Sequence, residues 1–259
     1  VQPEQSAVTA PAGYPVLLHG FTGSAGAWGG AVVDGLSGAG HPPVLVDLPG
    51  HGARAGEFDP ADFTLAATLG LIEEAGDWPA DVVGYSMGAR IALHFSATRP
   101  ELVRRLVLES GSPGLATEPE RAERRAADEA LARRIVEGGV AAFVDSWESQ
   151  PIFETRRAMP DEVVAYHRAL RLGNDARSLA ASLAGVGTGA LPSLWDELPR
   201  LAVPTLLIAG ELDRKFVDIA ERMARALPDA RLVVVPGAGH TVHMERPGAW
   251  LEAVTSFLA

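Results

Sequence analysis

The chain of 259 residues carries 33 Asp and Glu against 22 Lys and Arg, a formal net charge of −11, and no cysteine. Disulfides and thiolate metal sites are thereby excluded, and the acidic balance argues against general affinity for nucleic acid or anionic membranes. With 47% hydrophobic residues the chain has enough apolar mass for a large core, and its length fits one domain with an insertion better than two domains. No apolar run reaches transmembrane length and no secretory leader is visible. The chain opens on Val1 rather than Met, so its start is expected to be trimmed or renumbered. A cytoplasmic protein is the expectation.

In chain order, short β-like runs alternate with helical patterns. Val16-Leu17-Leu18 leads into His19-Gly20, and an amphipathic stretch covers Ala25 to Ser37. Val44-Leu45-Val46 leads into Asp47-Leu48-Pro49-Gly50-His51-Gly52, followed by a helical pattern from Phe63 to Ala75. Val82-Val83 runs into Gly84-Tyr85-Ser86-Met87-Gly88, followed by a helix-like stretch over Ala89 to Ala97. Leu106-Val107-Leu108 leads into Glu109-Ser110-Gly111. From about Leu115 to Leu198 the alternation stops, and helical spacing occupies Glu118–Glu137, Val140–Ser149, Asp161–Leu172 and Ala176–Leu183. It resumes with Thr205–Ile208, a helix over Asp218–Ala226, the run Leu232–Val235 and a last helix from Ala249 to Leu258.

Continuous apolar runs of this kind read as strands buried on both faces. Their alternation with helices predicts an α/β protein with a doubly wound, mostly parallel sheet, whose chemistry lies beyond the strand carboxyl ends. Residues 1–114 and 199–259 are expected to form the core, and residues 115–198 a helical cap inserted over the sheet edge.

The pentapeptide Gly84–Gly88 has the form G-x-S-x-G between a strand and a helix, as a nucleophile elbow requires. Its glycines permit a sharp turn that pushes the Ser86 hydroxyl out of the sheet and leaves the Met87 N–H at a helix N-terminus, ready to stabilise an oxyanion. A serine nucleophile or base needs a histidine, and the histidine an orienting acid. His240 follows the last strand and Asp213 the strand before it, which gives the order Ser86, Asp213, His240 of an α/β-hydrolase triad. His243 is the second candidate base and Glu211 the second candidate acid. The loop His19-Gly20-Phe21-Thr22-Gly23 is placed to supply the other oxyanion donor, the Phe21 N–H. His19 and His51 are expected to brace loops. His41 and His51 lack partners at ligand spacing and no nucleotide fingerprint is present, so neither a catalytic metal nor a cofactor is expected.

Together these motifs resemble the α/β-hydrolase superfamily over essentially the whole chain. Arg90 stands one helical turn after Ser86, where many esterases carry a small or apolar residue. Two readings stay open for it: a structural ion pair, or a cleft arginine that binds a carboxylate. Further segments are Leu108–Leu115, the Arg121/Arg124/Asp128 helix, Phe143 to Phe153, Arg171-Leu172-Gly173-Asn174, Gly187-Thr188-Gly189 and Gly210–Phe216. With these the chain is similar to the 2-succinyl-6-hydroxy-2,4-cyclohexadiene-1-carboxylate synthases of menaquinone biosynthesis (MenH), through core and cap alike.

That resemblance implies a lyase on a hydrolase frame, which eliminates pyruvate from a cyclohexene carrying an enolpyruvyl ether and a succinyl group. It implies a small tricarboxylate substrate, bound by Tyr85, Arg90, Arg124, Trp147 and Arg171, with Arg168 as the alternative to Arg171. Three other readings compete. A carboxylesterase or carbon–carbon bond hydrolase would use the same triad, and an apolar cap would favour it. A hydrolase-fold binding protein would not need an intact triad. Dehalogenase chemistry would need Asp in place of Ser86. Nothing in the sequence speaks to oligomeric state.

Overall fold

The computed structural model describes residues 13–56 and 59–259; the first twelve residues of the expected core segment lie outside them. Six strands, β1 (Val16–Leu18), β2 (Val44–Val46), β3 (Ala80–Tyr85), β4 (Val103–Glu109), β5 (Thr205–Gly210) and β6 (Ala230–Val235), form one sheet in the order β2-β1-β3-β4-β5-β6. Every neighbouring pair is parallel. The chain runs outward from β1 to β2, crosses back to β3, and then adds strands in the opposite direction. Helices therefore cover both faces, and the reversal places the β1 and β3 ends beside each other as a ligand crevice.

Alternate strand residues feed two cores, as the period of two demands. Leu17, Val83, Val107, Leu206 and Ile208 pack with Trp28 and with helices α1 (Gly29–Gly38) and α9 (Pro247–Leu258). Val16, Leu18, Val82, Leu106 and Leu207 face the other way, onto α2 (Leu65–Ala75), α3 (Met87–Thr98) and α7 (Arg214–Ala226). α8 (Val242–Glu245) is a single turn before α9.

Between β4 and β5 lie α4 (Glu118–Glu148), a 3-10 helix over Pro151–Ala158, α5 (Asp161–Leu172) and α6 (Ala176–Val186). They share a small core of Ile135, Phe143, Val144, Leu179 and Leu183. The two helices expected at Glu118–Glu137 and Val140–Ser149 are the halves of α4, broken at Gly139, whose φ of 76 and ψ of 168 are non-helical. A complete capping box starts α4: Thr117 accepts from the Glu120 N–H while Glu120 accepts from the Thr117 N–H.

Other boundaries depart modestly from expectation. The first amphipathic stretch begins as a 3-10 turn over Ala25–Trp28 before α1, and the expected helix start at Phe63 belongs to a 3-10 turn over Pro60–Phe63. α7 begins four residues earlier than the apolar spacing suggested, directly after Asp213. The 3-10 segment Pro151–Ala158 and α8 have no counterpart in the sequence reading, because pieces this short do not complete an amphipathic period.

Candidate active site

Ser86 joins β3 to α3 with φ 51 and ψ −104, a backbone conformation costing a non-glycine residue about 1–3 kcal/mol. The turn is pinned by the Ser86 N–H donating to the Glu109 carbonyl at 2.9 Å and by the Ser86 carbonyl accepting from the Arg90 N–H at 3.1 Å. Close approach explains Gly88: a Cβ there would stand 2.0 Å from the Leu18 carbonyl oxygen. The elbow and the end of β1 are thus in backbone contact, which brings Ser86 to the loop holding Phe21.

The three residues expected to form a triad meet. His240 Nε2 lies 3.0 Å from Ser86 Oγ, and His240 Nδ1 lies 2.6 Å from Asp213 Oδ2. The arrangement suits a histidine that donates through Nδ1 to Asp213 and accepts the Ser86 proton at Nε2. Asp213 precedes α7 and His240 follows β6, so two strand ends fix their separation. The His240 loop is cradled by Glu245, whose carboxylate accepts from the Gly239 N–H at 2.7 Å and from the Thr241 N–H at 3.1 Å. Ser110 Oγ donates to the His240 carbonyl at 2.8 Å.

The second candidates are occupied elsewhere. Glu211 accepts from the Gly237 N–H at 2.9 Å and so shapes the turn after β6. His243 holds both oxygens of buried Glu109 at 2.9 Å, behind Tyr85.

Phe21 and Met87 lie with Ser86 and His240 on the wall of a cavity of about 1100 Å³. As the first residue of α3, Met87 has an N–H without an intrahelical acceptor. The Phe21 loop is braced as expected. His19 donates through Nδ1 to the Gly20 carbonyl at 2.8 Å and accepts from the Leu48 N–H at 3.1 Å. His51 lies against both His19 and Phe21. Burial lowers the pKa of His19 to about 4 and that of His51 to about 3, so both braces are neutral.

The same wall carries Arg90, Arg124, Arg134, Arg156, Arg171 and Lys215 against the carboxylates of Glu120, Asp128 and Asp213. Positive charge is concentrated here in a chain of net charge −11. The ion-pair reading of Arg90 has no partner in the geometry: among the described residues no carboxylate pairs with it, and its buried Nε has no acceptor. Burial first, and then the nearby Arg124, lower its pKa to about 10, which leaves it charged at neutral pH. Arg124 is paired with Asp128 at 2.8 Å. Arg171, 8% exposed, is paired with Glu148 at 2.9 Å; burial and the neighbouring Arg156 lower its pKa to about 10.

Of the two arginines on α5, Arg171 lines the cavity and Arg168 does not; Arg168 is engaged outside it by Asp145 and Glu148. Trp147 stacks among Phe21, Phe143 and Phe153 and presents an indole N–H without an acceptor among the described residues. Tyr85 reaches Thr241 Oγ1 at 3.1 Å, and burial raises its pKa. Arg156, absent from the sequence reading, contacts the same Thr241 hydroxyl from the Pro151–Ala158 segment. The signal for it was faint: a proline opening a turn, with an aromatic and an arginine three residues apart.

A serine with its base and acid in line, facing a cationic cavity, can deliver an alkoxide to an anionic substrate either as nucleophile or as base. Comparison with known proteins narrows the field. Residues 16–254 match the alpha/beta hydrolase family. A Bacillus subtilis (strain 168) protein provisionally named 2-succinyl-6-hydroxy-2,4-cyclohexadiene-1-carboxylate synthase is 39% identical over 247 residues, 94% of this chain and 89% of its own length. The 2-succinyl-6-hydroxy-2,4-cyclohexadiene-1-carboxylate synthase of Salmonella paratyphi C (strain RKS4594) is 33% identical over 249 residues, 94% of this chain and 92% of its own. The structure of MenH from S. aureus superposes with a TM-score of 0.88 at 32% identity, covering 95% of this chain and 93% of that one. The chain therefore belongs to the alpha/beta hydrolase family and, within it, to the 2-succinyl-6-hydroxy-2,4-cyclohexadiene-1-carboxylate synthases.

Proposed function

We propose that this chain eliminates pyruvate from 5-enolpyruvoyl-6-hydroxy-2-succinyl-cyclohex-3-ene-1-carboxylate, yielding 2-succinyl-6-hydroxy-2,4-cyclohexadiene-1-carboxylate for menaquinone biosynthesis. The observation that carries the reading is the joining of a complete Ser86–His240–Asp213 hydrogen-bond chain to an arginine-lined cavity in an acidic protein. A neutral ester has no use for those cations; a substrate with three carboxylates does. Arg90 offers a guanidinium that no carboxylate pairs with among the described residues, and guanidinium forks bind carboxylates bidentately. Arg124, Arg171, Tyr85 and Trp147 complete the contacts in this reading.

In the reaction so read, His240 takes the Ser86 hydroxyl proton as Ser86 Oγ removes the ring proton next to the succinyl ketone. The ketone oxygen gains charge, which the N–H groups of Phe21 and Met87 stabilise; one such donor contributes about 3–4 kcal/mol to a transition state. The carbanion's electron pair forms a ring double bond, the existing alkene shifts by one position, and the carbon–oxygen bond to the enolpyruvyl group breaks. The departing enolate takes a proton and leaves as pyruvate. No water enters and no acyl-enzyme forms. No helix among the described residues is long and apolar enough to cross a membrane. A cytoplasmic location belongs to the same proposal, since a tricarboxylate does not cross a bilayer unaided.

The test is pyruvate release from that substrate, with a neutral nitrophenyl ester run in parallel and Ser86→Ala as control. Fast, Ser86-dependent release with feeble ester cleavage is expected. Efficient ester cleavage with no pyruvate would keep the triad and discard the lyase reading.

A further inference from the structure

The Pro151–Ala158 segment docks on the loop that carries His240. Thr155 Oγ1 stands only 2.1 Å from where a Cβ on Gly239 would be. Arg156, the next residue, donates to Thr241 Oγ1 from Nε at 3.1 Å and from Nη2 at 2.8 Å. A guanidinium has donors only, so the Thr241 hydroxyl, which accepts both N–H groups, cannot direct its own hydrogen at Arg156. Its single hydrogen is left for the remaining neighbour, Tyr85 Oη, at 3.1 Å. In that arrangement Tyr85 accepts from Thr241, and its own hydrogen is free to turn toward the cavity whose wall it shares with Ser86, Arg90 and Arg156. Burial keeps Tyr85 a neutral phenol by raising its pKa, so that hydrogen is present at neutral pH.

Arg156 is held for this task. Its guanidinium lies 4.1 Å over the Phe153 ring, and among the described residues no carboxylate pairs with it. Without it, Thr241 would be free to accept from Tyr85, and the phenol would point its hydrogen away from the substrate.

We propose that Arg156 is a positioning residue, which turns the Thr241 hydroxyl hydrogen onto Tyr85 and thereby fixes Tyr85 as a hydrogen-bond donor to a substrate carboxylate. The proposal rests on the anionic-substrate reading above and adds a residue, with its direction of action, to that site.

The test is a double-mutant cycle on the tricarboxylate with Tyr85→Phe, Arg156→Met and the pair together, and Thr241→Val as a separate variant. Each single change is expected to lower kcat/KM by about tenfold, the size of one hydrogen bond to a charged group. The pair is expected to lose no more than either single variant, because both break one chain. Thr241→Val is expected to match them although the arginine's charge is kept, and it carries the test if Arg156→Met does not fold. Losses that multiply to about a hundredfold in the pair, or Thr241→Val with wild-type kinetics, would overturn the proposal and make Arg156 a direct carboxylate contact.

Calorimetric titration with succinate on the same proteins separates this proposal from the lyase reading. If the wild-type protein binds succinate but releases no pyruvate, the lyase reading falls and the succinate affinities alone decide the role of Arg156. If it does neither, both fall.

Discussion

The arginines of the cavity differ in what their removal would leave behind. Arg124 and Arg171 each hold a protein carboxylate, so truncating Arg124 strands Asp128, truncating Arg171 leaves Glu148 to Arg168 alone, and either change mixes stability with function. Arg90 pairs with none among the described residues, and burial, with the nearby Arg124, makes its charge costly, offset in part by Asp128. Arg90→Met is therefore expected to lower kcat/KM for the tricarboxylate by about 10- to 100-fold while leaving the urea midpoint unchanged or higher, since a buried unpaired cation is removed. Equal losses of activity and stability would return Arg90 to a structural role. At the triad, Ser86→Ala and His240→Ala are expected to cost equally, and the double variant no more than either, because the two act as a unit. Steady-state kinetics on the three variants checks this, and a large residual rate in one single variant would break the pairing. Ser86, Asp213 and His240 were legible in the sequence because each lies in the loop or turn that leaves a strand end and the motif around Ser86 is local. Arg156 was not, because what matters about it is a contact 85 positions away along the chain, with Thr241.

Two glycines show how the elements aim these side chains, for opposite reasons. At Gly88 the constraint is space: a Cβ would meet the Leu18 carbonyl at 2.0 Å and the His19 carbonyl at 2.6 Å, and backbone cannot step aside cheaply. Gly88→Ala is expected to cost about 3 kcal/mol or more in urea unfolding and to abolish turnover, since the displaced β1 end carries the Phe21 loop. At Gly139 space is free, with nothing within 4 Å of a Cβ, but φ is 76. Gly139→Ala is therefore expected to strain the break in α4 by about 1–3 kcal/mol and to shift Val140–Glu148, hence Trp147 and the Arg171 partner Glu148. KM is expected to rise more than kcat falls. An unaltered KM would mean that the break does not aim the second half of α4 at the cavity. Helical spacing revealed both halves of α4, yet only the fold shows that the break falls at Gly139 and that the second half supplies an aromatic wall. The 3-10 turns at Ala25–Trp28, Pro60–Phe63 and Pro151–Ala158 blurred the boundaries because a three-residue repeat imitates the edge of a helical pattern.

Over the whole molecule, burial of histidine sets an acid limit. His19, His51, His94 and His167 are all buried, and burial is the leading cause of pKa values lowered from 6.5 to about 4, 3, 4 and 3 respectively. The unfolded chain takes up these protons near pH 6.5, whereas the folded one resists them until pH 4 or 3. Between those limits the unfolded state binds more protons, so stability falls as pH drops from 6.5 and is full only above it. Each group contributes at most about 1.4 kcal/mol by pH 5.5, and the four together about 5 kcal/mol, comparable to the whole net stability of many domains. Urea unfolding at pH 7.5 and at pH 5.5 is expected to differ by roughly that amount, and His51→Gln is expected to remove about a quarter of the difference whatever its effect at pH 7.5. An equal pH 7.5-to-5.5 difference in the variant would show that His51 is not proton-linked to folding. Two of these four groups, His19 and His51, brace the Phe21 loop, and a third, His167, lies on the cavity wall. Acid is therefore expected to loosen the site before the sheet: pyruvate release is expected to fail at a higher pH than the far-ultraviolet helical signal, and coincident loss of the two would place the weakest proton-linked contacts in the core instead.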